Sequence, residues 1–264
     1  MDLGLSSKTV LVSGSTAGIG FDAALGLARE GAAVVVNGRT PERVAEAVSK
    51  IQQETGNEKV SGVAADLGTA AGAAEVIRQV PTVDILVNNV GIFEIKPFGE
   101  ITDEDWLRFF ESNVLSGVRL SRHYFPGMIA QNWGRIVFIS SESAVNIPAE
   151  MIHYGMTKTA QLAVARGLAE MTVSTGVTVN SVLPGPTRSE GVGTFLSQFA
   201  LAQGITEEKM EAEFFQNARP SSLIHRFAST DEVASMITFV CSEAASAVNG
   251  AALRVEGGVV RSIL

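Results

Sequence analysis

Short apolar runs alternate with helix-period segments along nearly the whole chain, and this pattern leaves few folds open. The runs fall at 8–13, 33–37, 60–65, 84–88, 135–140, 177–183 and 251–255. Several are continuously apolar, as strands buried on both faces must be. Between them the apolar residues recur near a 3.6-residue period, predicting helices over 19–30, 41–54, 70–79, 103 to about 131 as one long helix or two in tandem, 150–175 and 230–241. Thr40 caps the second of these, with Pro41 at its first position, and Thr102 caps the fourth. Strands alternating with helices at this spacing build βαβ units, right-handed crossovers and a parallel sheet. The expectation is an α/β single domain over 1–264, a doubly wound parallel sheet with helices on both faces. One stretch breaks the rhythm: Pro184, Gly185, Pro186, Gly191, Gly193, Gly204 and Pro220 punctuate two short helical patterns, and we read 186–222 as a substrate lid.

Composition narrows the functional classes. A net charge of −8 disfavours nucleic acid and anionic membrane as partners. The single cysteine, Cys241, excludes a disulfide framework and a Cys/His zinc cluster. His123, His153 and His225 are scattered without ligand spacing, so no metal is expected. No basic segment precedes an apolar run at the start, and no apolar stretch reaches 18 residues. The expectation is a cytoplasmic protein without signal peptide or membrane span.

The turn after the first strand reads Ser13-Gly14-Ser15-Thr16-Ala17-Gly18-Ile19-Gly20. Glycines there let the backbone approach a pyrophosphate, and the following helix N-terminus presents free N–H groups to it. Strand, glycine turn and helix together predict a Rossmann-type dinucleotide site. The second strand ends in Gly38-Arg39, without the acid that would hold a ribose 2′-OH. Arg39 instead offers a fork of donors to a 2′-phosphate, so NADP(H) is the preferred cofactor and NAD(H) the alternative. Asp66-Leu67 after the third strand is placed to read an adenine edge, and Asn88-Asn89-Val90-Gly91 follows the fourth.

Tyr154 and Lys158 stand one helical turn apart, and Ser141 lies thirteen residues before the tyrosine. A tyrosine with a pKa near ~10 is a poor acid-base catalyst at neutral pH. An ammonium on the same helix face favours the phenolate and is expected to lower it. The Ser141 hydroxyl is then placed to hold a substrate oxygen.

Taken together these residues resemble the short-chain dehydrogenase/reductase family, from about Leu5 to the C-terminus. Ser13 to Gly20 is similar to that family's Thr-Gly-x-x-x-Gly-x-Gly turn, with serine leading. Asn88 to Gly91 is similar to its Asn-Asn-Ala-Gly segment, with Val90 for alanine. Asn113, Ser141, Tyr154 and Lys158 fall on its catalytic tetrad, and Pro184-Gly185-Pro186-Thr187 on its Pro-Gly segment beside the nicotinamide. The resemblance implies that Tyr154 exchanges a proton with the substrate, Lys158 lowers its pKa and holds the nicotinamide ribose, and Ser141 orients the reacting oxygen. It also implies that Asn113 supports a water linking Lys158 to solvent, and that the protein is a homotetramer.

The activity expected is NADP(H)-dependent interconversion of a carbonyl and a secondary alcohol. A 3-oxoacyl-carrier-protein reductase is the rival, but 188–222 offers Arg188, Lys209 and Arg219 against five glutamates, a poor surface for an acidic carrier. A catalytically inactive nucleotide-binding regulator is the alternative of another class. Phe93, Ser143, Ile147, Met151, Pro186, Val192 and Phe195 are the expected pocket walls. No arginine or lysine lies in 141–157, so neutral, moderately hydrophobic ketones are the expected substrates, with Arg188 the cation placed to swing in.

Overall fold

The computed structural model describes residues 2–263, without the side chains of Thr194, Phe195, Gln198, Phe199, Ala202 and Gln203. The expected pocket wall Phe195 therefore lies outside the described side chains. The described residues build a seven-stranded sheet in the order β3-β2-β1-β4-β5-β6-β7, every pairing parallel. The strands are β1 (Thr9–Val12), β2 (Ala33–Gly38), β3 (Ser61–Ala64), β4 (Ile85–Asn88), β5 (Gly134–Ile139), β6 (Val177–Pro184) and β7 (Ala252–Val255). Strand order reverses between β1 and β4, and at such a switch point the loops leaving the carboxyl ends part to leave a crevice.

Helices cover both faces. On one side α1 (Gly18–Arg29) packs with α9 (Thr230–Val240). Their apolar faces join Val10, Val12, Val34 and Val36 in one buried cluster. Leu11, Leu86, Ile136 and Phe138 point the other way, toward Leu120 and Tyr124 of α5 (Ser116–Ala130) and Ala165 of α6 (Ile152–Glu170). The alternation of odd and even strand residues between the two clusters follows from the period of two along a strand. Of the flanking helices, α2 (Pro41–Thr55) starts as expected, with Thr40 Oγ1 accepting from Arg43 N and Pro41 in its first turn. The helix α3 (Ala70–Gln79) is capped by Thr69.

The segment from 103 takes the tandem form of the sequence reading, with a π-turn added, and two other stretches depart from that reading. The segment from 103 divides into α4 (Asp103–Phe110), a π-helical turn (Glu111–Leu115) and α5. The turn inserts one residue into the helical ladder, as single π-turns do at functional sites, and it carries Asn113. The helix expected over 150–175 opens with a 3₁₀ turn (Ala149–Met151) and ends at Glu170, because 171–175 turn back on their own backbone and side-chain hydroxyls. The irregular stretch holds α7 (Glu190–Gln203) and α8 (Glu207–Asn217), longer than the short patterns expected. No helix among the described residues is long and apolar enough to cross a membrane.

Candidate active site

The glycine turn is stitched to three strands at once. Asn37, 1% exposed, accepts from Gly14 N through Oδ1 and donates through Nδ2 to Val63 O and Ala65 O. Ser13 Oγ accepts from Asn89 N and Val90 N, while Asn89 Nδ2 donates to Ser13 O and Gly14 O. Gly14 and Gly18 adopt φ of +60° and +59°, a region that disfavours any side chain. A Cβ on Gly20 would stand 2.4 Å from Asn89 Nδ2 and 2.5 Å from Gly14 O. The serine that replaces threonine at 13 and the Asn89 amide thus hold the turn against β4.

This turn suits a pyrophosphate. The helices α2, α3, α4, α7, α8 and α9 each start on a Ser or Thr that accepts a first-turn N–H. Helix α1 starts on Ala17, with no side-chain cap and no acid in its first turn. Its free donors and dipole end face the crevice above β1 and remain available to an anion. Beside them Thr16, Gly18, Arg43, Lys50 and Glu190 line a cavity of about 450 Å³. Arg39 lies exposed at the carboxyl end of β2, and Gly38 is required there because a Cβ would meet Thr16 Cγ2 at 2.4 Å. Arg43 and Lys50 of α2 are further cations lining this cavity that the sequence reading missed, Arg43 being paired with Glu190 at 3.3 Å.

Among the other nucleotide-side residues, Asp66 is exposed, its Oδ1 accepting from Gly68 N, and Leu67 is buried in the core. Gly91 lies against the head of Lys158: a Cβ there would be 3.2 Å from Nζ. Pro184 ends β6, a Cβ on Gly185 would strike Glu256 Cα at 2.6 Å, and Thr187 donates through Oγ1 to Gly185 O.

The four residues expected to react converge at the same rim. Ser141 follows β5, Tyr154 and Lys158 lie on α6, and Asn113 sits on the π-turn. Ser141 is the hydroxyl neighbour of Tyr154 that favours its phenolate. Lys158 Nζ is 5.6 Å from the Tyr154 ring centroid and donates to Ile139 O at 2.9 Å and to Gln161 Oε1 at 3.3 Å. Asn113 is buried, holding Ile92 through both N–H and C=O and donating to Thr157 Oγ1.

The electrostatics differ from the expectation. The Tyr154 hydroxyl is not lowered in the free protein; burial pushes it up to about 12, with Glu142 adding to the rise and Ser141 and Arg219 opposing it. Burial also lowers Lys158 to about 8, so it keeps its charge at neutral pH and loses it above that. Gln161, a residue outside the expected set, joins Asn113 to Lys158: its Nε2 donates to Asn113 O at 2.5 Å while its Oε1 accepts from Lys158. Ser141 donates its hydroxyl proton to Glu142 Oε2 at 2.7 Å and accepts from Ser143 N at 3.1 Å.

The surrounding walls are mixed. Phe93, 55% exposed, meets the Tyr154 ring edge-on at 6.5 Å, and Ile147 is 51% exposed. Met151, Pro186 and Val192 are half-buried, whereas the Ser143 side chain is buried at 2% and forms no open wall. Arg188 is not free to swing in, because Glu207 and Glu211 hold it at 3.3 Å and 2.7 Å. The cation that does reach the site is Arg219, whose Nε donates to Glu142 Oε1 at 3.1 Å. Glu142 and Gln161 were within reach of the sequence, one next to Ser141 and the other one turn beyond Lys158. Arg219, 77 residues from Glu142, had no local signal.

This geometry has clear relatives. The short chain dehydrogenase family profile matches residues 8–198. An uncharacterized oxidoreductase of Bacillus subtilis, YvrD, is 49% identical, with both chains covered in full. D-beta-hydroxybutyrate dehydrogenase of Cupriavidus necator is 32% identical over 97% of this chain and 99% of that one. Among solved structures, L-sorbose reductase from Gluconobacter frateurii, complexed with NADPH and L-sorbose, superposes with a TM-score of 0.93 at 32% identity, each chain covered in full. The chain belongs to the short-chain dehydrogenase family, and it is an NAD(P)-dependent oxidoreductase.

Proposed function

We propose that this enzyme interconverts a ketone and a secondary alcohol with NADP(H), Tyr154 serving as the acid-base. The observation that carries the reading is the meeting of Tyr154, Ser141 and Lys158 at the crevice that begins with an uncapped helix N-terminus. When bound, the dinucleotide supplies or accepts the hydride. The glycine turn and the α1 N-terminus hold its pyrophosphate. Arg39, with Arg43 and Lys50 nearby, favours a 2′-phosphate, and the absence of an acid at 38 and 39 leaves NAD(H) without its usual partner. Lys158 directs its remaining N–H toward the ribose side of the crevice, where Gly91 leaves room for it. Tyr154 donates its proton to the carbonyl oxygen in reduction and recovers it from the alcohol in oxidation.

A pKa of about 12 keeps Tyr154 protonated in the free protein, the form that reduction requires. Ser141 lies beside it and aligns the substrate oxygen. The segment 186–222 acts as a lid. The exposed Phe93 and Ile147 favour a neutral substrate with an apolar portion. An acidic carrier protein finds little purchase on the lid: Arg188 and Lys209 pair with glutamates and Arg219 is buried. A homotetramer with two-fold axes is the assembly we propose, readable by light scattering.

Tyr154→Phe tests the assignment. Turnover of a ketone panel with NADPH should fall by roughly 10²–10⁴-fold, while NADPH binding measured by fluorescence stays within about twofold. Retention of more than about a tenth of the rate would remove Tyr154 from the proton step.

A further inference from the structure

The Ser141 hydroxyl has one proton, and it is committed. It goes to Glu142 Oε2, and one lone pair accepts from Ser143 N. Ser141 lowers the Tyr154 phenol only as a donor to it, so Glu142 competes with Tyr154 for the one Ser141 proton and governs how Ser141 addresses the tyrosine. Glu142 is 4% exposed, and a carboxylate that deep requires a partner. Its partner is Arg219, 8% exposed, which follows α8 and reaches back over the site. The guanidinium is held in turn: Nη1 donates to Ala218 O at 2.8 Å and lies 3.7 Å from Glu150 Oε1, and the Phe214 ring centroid is 6.0 Å away. The excursion carrying α7 and α8 therefore delivers a charge to the reacting end through a chain of direct contacts: Arg219, Glu142, Ser141, Tyr154.

We propose that Arg219 is a positioning residue for the reaction, which by pairing with Glu142 fixes the Ser141 hydroxyl and balances the charge facing Tyr154 only when the α7–α8 segment is seated on the site. The proposal rests on the reading of Tyr154 as the acid-base for its functional meaning, but its electrostatic core does not. The charged groups facing Tyr154 are Glu142 from the turn after β5, Arg219 from beyond α8 and Lys158 from its own helix. Glu142 disfavours the phenolate and Arg219 favours it. Removing one partner leaves the other uncompensated in a buried place, whereas removing both restores balance.

The chain has two tyrosines, so in a Tyr124→Phe background Tyr154 is the only one, and its ionisation can be followed by phenolate absorbance with no substrate present. Tyr124 lies away from the site, donating to Val80 O. In that background Glu142→Gln should move the Tyr154 midpoint down and Arg219→Met should move it up. Each shift should be on the order of one pH unit, a tenfold change in the ionisation constant. The Glu142→Gln/Arg219→Met double variant should return close to the parent, a coupling that a merely structural role would not produce. Circular dichroism over the same range confirms that each variant is folded. Should Arg219→Met fail to fold, Glu142→Gln alone decides: a midpoint that stays or rises overturns the proposal. A double variant displaced as far as either single one also overturns it. In parallel, Arg219→Met should lower kcat with NADPH and the best ketone of the panel by about ten- to a hundredfold, the worth of a charge-assisted hydrogen bond, with little change in NADPH affinity. If the wild type turns over no ketone while the midpoints shift as stated, the functional reading fails and the charge relay stands.

Discussion

Replacing Gln161 by leucine should harm this enzyme more than replacing it by alanine, the reverse of what packing alone dictates. Gln161 is 2% exposed and uses both ends of its amide, accepting from the Lys158 ammonium and donating to Asn113 O. Leucine fills nearly the same space and offers neither group. A hydrogen bond to a charged group is worth about 1.5–3 kcal/mol, and a buried carbonyl left unpaired costs about 1–3 kcal/mol. The first loss falls on Lys158. An acceptor favours the ammonium, so its removal lowers a group that burial has already brought to about 8. At about 1.4 kcal/mol per pH unit, the fall is roughly one to two units.

The leucine variant then carries a largely neutral Lys158 at mildly alkaline pH and loses whatever that charge contributes to Tyr154 and to the ribose. Alanine removes the same two groups but opens room for a water, which needs about 30 Å³ and two to four polar partners. Lys158 Nζ and Asn113 O stand ready as those partners. We expect kcat/KM for NADPH-dependent reduction to fall about ten- to a hundredfold in the leucine variant at about pH 8, less at about pH 6, and no more than about tenfold at either pH in the alanine variant. Large-to-small cavity costs predict the opposite order, with alanine the weaker protein at every pH. That outcome would refute the reasoning and reduce Gln161 to a core residue.

The remaining predictions concern the cofactor and the alkaline limit. Gly20→Ala drives a Cβ to 2.4 Å from Asn89 Nδ2, so the turn must open; NADPH affinity by titration should fall at least about tenfold. Arg39→Ala should erase most of an NADPH preference of about ten- to a hundredfold in kcat/KM, and equal use of both cofactors by the wild type would contradict the assignment. Chemical denaturation against pH should show stability rising from about pH 8 as Lys158, held by burial at about 8 and so below the usual lysine range, binds fewer protons folded than unfolded. Above pH 9 to 10 stability should decline toward 12, because Cys241, Tyr124 and Tyr154 are each raised to about 12 and keep protons that the unfolded chain has lost.

The sheet was legible because a doubly wound strand has little choice of composition. Continuous runs such as Ala33 to Asn37 are apolar on both faces, and the period of two sends Val34 and Val36 to one core and Val35 to the other. Caps at Thr40 and Thr102 were equally local. The π-turn was not legible. A single inserted residue leaves the helical period of 103–131 nearly intact, and only its consequence, a buried Asn113 bonded to Ile92 and Thr157, reveals it.

The site divides along the same line between local and distant causes. Glycines, Ser141, Tyr154 and Lys158 announce themselves because their spacing is fixed by one turn, one strand end or one helix face. The electrostatics do not follow from spacing. One helical turn between Tyr154 and Lys158 suggested a lowered phenol, yet the two are buried together with no described carboxylate paired to the lysine, and desolvation moves each toward its neutral form. In the free protein, then, the balance at Tyr154 is set by groups that no pattern in the helix contains: a glutamate beside Ser141 and an arginine delivered from beyond α8. Those two partners come from distant parts of the chain, so the charge facing the Tyr154 phenol is a property of the assembled site rather than of its motif.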